Sequence, residues 1–277
     1  KIFTRTNVVI GFVLGIIQKQ HYMTNSKVQD TPVLQAKKVE CAVCGLSNLC
    51  IPHGLTVEEL ENLDSIVKTK RKLERDDILY HAGSELTPIF AVSSGSFKTS
   101  ITNQEGSEQI TGFYLPGEIV GLDGLGGLAP NSTATALETS TVCEIPGPEF
   151  DKICSANHGL RQSFMQVVSR EIMREQQMMM TLGQMSAEAR LAHFMITMGA
   201  RFKERGFSST EFNMSMSRHD LANYLGLAVE TLSRLFKKFQ ETGLLQVNRR
   251  NIKILDWDAL CATAHTDCNN RKSNQSR

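Results

Sequence analysis

Three cysteines fall within the ten residues "CAVCGLSNLC", Cys41 to Cys50, and the next, Cys143, comes almost a hundred residues later. Thiolates this closely spaced are ligands for a soft metal centre. The C-x2-C-x5-C run of Cys41, Cys44 and Cys50 supplies three, and Cys143 in "STVCEI" is the expected fourth. Zinc favours paired C-x2-C knuckles, and the second pair is absent. A cubane iron–sulfur cluster takes four cysteines, and three on a loop with one distant ligand suit it. Redox thiols without metal are the third reading, and spacing leaves all three open. Cys154, Cys261 and Cys268 lack such spacing and are expected to be incidental. Seven cysteines, odd in number and clustered, weigh against a secreted disulfide scaffold and point to a reducing cytoplasm.

A chain of 277 residues has room for two cored domains to position such a site. Residues 186–277 carry 14 Lys and Arg against 9 Asp and Glu, while the remainder carries 16 against 20. A basic C-terminal part on an acidic body points towards nucleic acid. Near the N-terminus, "VVIGFVLGII" (Val8–Ile17) is shorter than the roughly 20 residues a bilayer-spanning helix needs. The polar "QKQHYM" after it offers no small-residue cleavage site. Met23 looks like an ordinary start, so residues 1–22 are read as an upstream extension and no membrane role is expected.

From about Leu55 to Pro148, short apolar runs alternate with glycine-rich turns, as in "PIFAVSSGSFKTSIT" and "EQITGFYLPGEIVG". This is the pattern of a β-sandwich or barrel. Residues 160–186 contain no proline and one glycine, which predicts one long helix. Along it Met165, Val168, Ile172, Glu175, Met179 and Leu182 recur at alternating spacings of three and four, the seam of a two-stranded coiled coil between copies. Packing of that stripe on the chain's own β domain is the competing reading. Glu175 argues for the seam, because an unpaired carboxylate is costly to bury in a core.

The segment "SRHDLANYLGLAVETLSRLFKKFQETGLLQV" predicts a helix over 218–224, a turn at Gly226 and a second helix over 229–241. Leu221, Leu225, Val229, Leu232 and Leu235 supply the apolar faces, and Glu230, Ser233, Arg234, Lys237 and Lys238 the polar one. A second, basic helix after a glycine turn reads as a helix-turn-helix. The following "VNRRNIKIL" reads as a hairpin whose arginines suit phosphate contact.

With these pieces assembled, the chain resembles the oxygen-sensing branch of the CRP/FNR transcription-factor family from about Cys41 to Leu260. "CAVC…LCIP", "GSEQITGF", "ALETSTVCEIP" and "GLAVETLSRL" carry the likeness. The resemblance implies an α+β fold: a cyclic-nucleotide-binding-like β roll (jelly roll), a long dimerisation helix and a C-terminal winged helix-turn-helix. The implied divisions are an extension at 1–40, a cysteine loop at 41–54, the β roll at 55–158, the dimerisation helix at 159–188, the DNA-binding domain at 189–262 and a tail at 263–277. It implies one four-iron four-sulfur (4Fe-4S) cluster per subunit on Cys41, Cys44, Cys50 and Cys143. Glu230, Ser233 and Arg234 would read bases of a palindromic TTGAT-type site, with Thr231 and Lys237 beside them. Arg can pair bidentately with guanine and Glu can accept from cytosine. The implied partners are double-stranded DNA and RNA polymerase, and the implied state is a homodimer when cluster-loaded and a monomer after oxygen exposure.

Two positions depart from the family pattern. Ser107 follows the glycine of "QEGSE" where an acidic residue is usual in the polymerase-contacting turn, and Gly45 stands where serine is common. A cyclic-AMP receptor is disfavoured because "NSTATAL" lacks the arginine for a cyclic phosphate, with only Asp123 near the ribose-binding glutamate position. An electron carrier without DNA binding fits the cysteines but not "VETLSRL" on a basic helix. No phosphate loop or nucleophile–base constellation points to an enzyme.

Overall fold

The computed structural model describes residues 41–51, 55–67, 70–85 and 88–266. The expected extension at 1–40, with its apolar run, lies outside the described residues, as do Cys268 and the rest of the tail from 267. Among the described residues no helix is long and apolar enough to cross a membrane.

After a short 3-10 turn at Cys41–Val43, the chain enters α1 (Val57–Ile66) through a capping box. Thr56 Oγ1 accepts from the Glu59 amide, and the Glu59 carboxylate accepts from the Thr56 amide. Eight strands follow: β1 (Lys70–Leu73), β2 (Ile78–Tyr80), β3 (Ile89–Ser94), β4 (Phe97–Thr102), β5 (Glu108–Tyr114), β6 (Ile119–Val120), β7 (Thr133–Ala136) and β8 (Ser140–Ile145). They form two antiparallel sheets, ordered β1-β8-β3-β6 and β2-β7-β4-β5. Leu73, Phe90, Val92 and Val142 of the first sheet meet Leu79, Phe97 and Ala134 of the second in one core. Strands β3 and β4, adjacent in sequence, lie in different sheets. Gly95 makes the crossing in the left-handed region (φ 74°), where an added Cβ would stand 2.7 Å from the Ser140 backbone.

Helix α2 (Gly147–Ala156) leads to the long α3 (His158–Gln184), and Met185 and Ser186 break it from α4 (Ala187–Glu204). Then come β9 (Glu211–Asn213), α5 (Arg218–Tyr224), α6 (Val229–Glu241), the β10 (Leu245–Asn248) and β11 (Asn251–Ile254) hairpin, and α7 (Trp257–Thr263). Strand β9 pairs with β11 to make a three-stranded wing. A second core, containing Leu191, Met195, Leu221, Leu232, Phe236 and Leu260, unites these C-terminal elements.

One buried carboxylate ties the β roll to both α3 and α4. Pro116 and Gly117 turn the chain between β5 and β6, and Glu118 follows. The Arg201 Nε donates to its Oε1 at 3.0 Å and the Arg205 Nη2 at 2.8 Å, while the Arg174 Nη2 stands 3.7 Å away. Arg201 and Arg205 also donate to the carbonyls of Phe113 and Pro116. Burial alone would raise the Glu118 carboxyl, but Arg201, Arg174 and Arg205 outweigh it and lower it from 4.5 to about 2. The stabilisation this pairing supplies is therefore complete above the unfolded value and is lost as pH falls towards about 2, with a magnitude of about 3 kcal/mol. Glu118→Gln should destabilise the protein by about that amount at neutral pH, because the buried Arg201 and Arg205 guanidinium groups lose their anion, whereas Arg174 keeps Glu171 at 2.7 Å. In urea unfolding followed downwards in pH, the gap between variant and parent should close between about pH 5 and about pH 2.

Candidate metal centre and nucleic-acid interface

Cys41, Cys44 and Cys50 are carried on turns of the loop ahead of α1, and Cys143 sits mid-strand on β8 between Lys70 of β1 and Ala91 of β3. All four line one cavity of about 630 Å3, walled by Ile51, Leu63, Val67, Ala91 and Ile145 with Lys70 at its edge. The four are free thiols. Burial pushes the Cys50 thiol up to about 12 and raises Cys41 and Cys143 as well, with Asp64 adding to the rise at Cys41 and Lys70 opposing it at Cys143. Asp64 also accepts from the Cys41 amide at 2.7 Å, which holds the loop to α1.

Among the described residues, no group of three or more His, Cys, Asp or Glu side chains closes on a single point as a mononuclear ion requires. Four thiols spread around a roomy apolar cavity match the donor set of a four-iron cube, whose irons sit at separate corners. Apolar walls also suit a centre that must be shielded from water. The Gly45 departure has no steric cause, because a Cβ there would meet nothing within 4 Å.

The loop is seated on the helix that leaves the β roll. Ile51, next to Cys50, is fully buried in a core with Leu63, Ile89, Phe150 and Leu160, against which Cys41, Cys50, Cys143, Cys154, Phe164 and Val167 pack. The Glu59 carboxylate accepts from the Gly159 and Leu160 amides, capping the first turn of α3. Sequence reasoning did not single out Ile51, Lys70 or α1, although "TVEE" spells the capping box that starts that helix. Cys154 is a half-buried free thiol, and Cys261 is buried in the C-terminal core.

Along α3 the inner face, with Leu160, Phe164, Val167 and Glu171, turns to the β roll, and the Tyr114 hydroxyl donates to Glu171 at 3.0 Å. The outer face carries the seam residues. Met165, Ile172 and Met179 are 55%, 49% and 74% exposed, Glu175 is exposed, and Val168 and Leu182 are half-buried. Met165, Ile172 and Met179 are thus left uncovered, and Met173 and Met180 widen the uncovered apolar surface, while Glu175 borders a small cavity with Thr111, Gly112 and Tyr114 of β5.

In the C-terminal part, α5 and α6 cross about the left-handed Gly226 (φ 62°). A capping box of Ser217 and Asp220 starts α5. Leu232, Leu235, Phe236 and Phe239 bury one face of α6, leaving Glu230, Ser233, Arg234, Lys237 and Lys238 outside and Thr231 half-covered. The Lys237 ammonium lies 3.7 Å from Glu241 one turn on, whereas Lys238 donates to Glu188 of α4 at 2.6 Å and braces the helix. Arg249, in the left-handed region (φ 54°), and Arg250 form the exposed tip of the wing.

Residues 189–263 match the Crp-like helix-turn-helix domain, and residues 70–157 match the cyclic nucleotide-binding domain. The chain is 44% identical over 228 residues to the transcriptional activator protein FnrA of Stutzerimonas stutzeri, covering 82% of this chain and 93% of that one. This chain belongs to the CRP/FNR family of transcription regulators. The fumarate and nitrate reduction regulatory protein of Salmonella typhimurium is 44% identical over 229 residues, covering 82% and 92%. FixK2 from Bradyrhizobium japonicum shares the fold at a TM-score of 0.66 and 23% identity, over 70% of this chain and 96% of that one. CRP/FNR relatives of this kind are regulators, not enzymes. In this CRP/FNR β roll, Asp123 is exposed, and its Oδ2 accepts from the Asn131 and Ser132 amides and from Ser132 Oγ, at 2.8–3.0 Å.

Proposed function

We propose that this regulator is an oxygen-responsive, cytoplasmic transcription factor that binds palindromic TTGAT-type DNA as a homodimer and controls anaerobic gene expression. The observation that carries this reading is the convergence of Cys41, Cys44, Cys50 and Cys143 on one cavity in a CRP/FNR-family chain. These four residues would hold one 4Fe-4S cluster per subunit, which when bound supplies an oxygen-sensitive bond between the cysteine loop and β8.

The chain's own residues account for the remaining steps. With the loop seated, Ile51 completes the core that contains Leu160, Phe164 and Val167, so the start of α3 is held against the β roll. The outer stripe of Met165, Val168, Ile172, Met179 and Leu182 is then presented to a second copy. Glu175 meets its twin in that seam, and two carboxylates about 5 Å apart repel by roughly 3 kcal/mol at an effective dielectric near 20. The dimer is therefore nearly balanced, and a loop worth a few kcal/mol is enough to decide it. In the dimer, two copies of α6 would enter successive major grooves about one helical turn apart, with Glu230, Ser233 and Arg234 on base edges. Thr231 lies beside them, while Lys237 and the wing arginines face phosphates. The β4–β5 turn is a surface for RNA polymerase in this reading. There Asn103 Oδ1 accepts from the Glu105 and Ser107 amides, so Ser107 shapes the turn without contributing an acidic side chain.

Anaerobically prepared protein should contain about four irons per chain with a visible charge-transfer band. Serine at any one of Cys41, Cys44, Cys50 or Cys143 should remove both, and Cys154→Ser should remove neither. Stoichiometric zinc without that band would refute the assignment.

Arg234→Ala should weaken binding to the palindrome by roughly 1–3 kcal/mol and relax preference at one base pair, as read by binding-site selection. Lys237→Ala should weaken all sequences alike. Unchanged base preference in Arg234→Ala would move the reading surface away from α6.

Glu175→Ala should dimerise and bind DNA in air without iron. Aerobic sedimentation and DNA binding of the variant check this, and a strictly monomeric, inactive protein would remove Glu175 from the switch.

A further inference from the structure

The cysteine loop touches the β roll at a second place, away from the metal cavity. Leu49, immediately before Cys50, rests on Gly117, so closely that a Cβ at Gly117 would stand 2.7 Å from the Leu49 Cβ. Gly117 is in the left-handed region (φ 88°), so the chain keeps a glycine there for both conformation and clearance. The next residue is Glu118, whose carboxylate pairs with Arg201 of α4 and with Arg205 at its C-cap, while Arg174 of α3, which donates to Glu171 at 2.7 Å, stands 3.7 Å from it. Leu49, Gly117, Glu118, Val167, Glu171 and Arg174 surround one small cavity of about 50 Å3. Leu49 is thus the apolar cover over one side of the ion network.

Three properties make this arrangement more than a structural ion pair. It joins the three parts that a switch must coordinate: the β roll through Glu118, the dimer helix through Arg174, and the first helix of the DNA-binding part through Arg201 and Arg205. Its strength depends on dryness, because attraction between unit charges falls several-fold as the surroundings change from protein-like to watery. Its cover is a residue of the loop that carries the cysteines, so withdrawal of the loop admits water to the carboxylate. We propose that Glu118 is a positioning residue: while Leu49 covers it, its carboxylate fixes α3 and α4 together against the β roll, and when the loop leaves, hydration loosens both helices at once. This rests on the oxygen-switch reading above and adds to it the route from the loop to the DNA-binding part.

The test compares amide hydrogen exchange of residues 201–206 in the full chain, anaerobic and iron-loaded or stripped of iron with a chelator. Iron content and affinity for the palindrome are measured alongside. In the parent, iron removal should speed exchange at least tenfold. Glu118→Gln should keep its iron, yet exchange fast in both states, differ by less than twofold between them, and bind DNA at least tenfold more weakly when loaded. Glu118→Asp, which keeps the charge, should restore the iron dependence. If Glu118→Gln does not fold, Arg174→Met, altered at a more exposed partner, takes its place and should shrink the iron-dependent change at least threefold. A variant that folds, holds iron and responds to its removal as the parent does would overturn the proposal. Leu49→Ala separates this failure from failure of the oxygen-switch reading. Without any iron it should speed exchange at 201–206 in the parent background but not in Glu118→Gln, and equal acceleration in both would also overturn the relay.

Discussion

A carboxylate buried among guanidinium groups must keep its partners, and this requirement fixes how the parts of the molecule meet. Glu118 leaves the β roll at the Pro116–Gly117 turn, and Arg174, Arg201 and Arg205 reach it from two helices that share no strand with that roll. The β roll also meets the C-terminal part through an apolar contact, in which Ile110, Phe113, Leu115 and Leu137 share a core with Phe194 and Leu221 and the Phe113 ring lies against Phe194 and Tyr224. Around it stand polar contacts: Lys98 donates to Asp220 at 2.6 Å, and the Asn223 amide pairs with the backbone of Glu108 and Ile110 along β5. Polar contacts of this kind hold geometry firmly when dry and weaken when wet.

The cysteine site follows a complementary logic. Its four thiols gather in an apolar cavity, where burial favours the protonated form of Cys41, Cys50 and Cys143 unless a cation compensates. The loop that carries three of them is short and has little structure beyond turns, so it cannot hold itself in place. Ile51 anchors it in the core, Asp64 binds the Cys41 amide and Leu49 lies on Gly117. A weakly self-supporting segment with three separate seats suits a bias between two states better than it suits a rigid scaffold.

The outer face of α3 shows the same economy of binding. Met165, Ile172, Met173, Met179 and Met180 form a flexible, exposed apolar stripe interrupted by Glu175. Methionine adapts its shape at contacts that must form and separate, and in the proposed switch the charge within the stripe would keep such contacts from becoming permanent.

The sequence alone was enough for the elements whose physics is local. Helices at 218–224 and 229–241, with Leu221, Leu232 and Leu235 inward and Arg234 outward, follow from helical periodicity and the turn at Gly226. The wing hairpin and the Pro-Gly turn before Glu118 follow from turn chemistry, and the cysteine spacing singled out Cys41, Cys44 and Cys50 as candidate ligands before any fold was known. Contacts between residues distant in the chain were decided only by tertiary structure. Nothing local indicates that β3 and β4 part into different sheets, because that depends on which strands compete for each edge. Nor does "LPGE" indicate that its glutamate would meet arginines more than fifty residues away, since a charged residue after a turn ordinarily points into water. Cys143 could be selected only as the expected fourth ligand. Its place beside the other three was decided when β8 paired between β1 and β3 and carried it into the cavity under the loop.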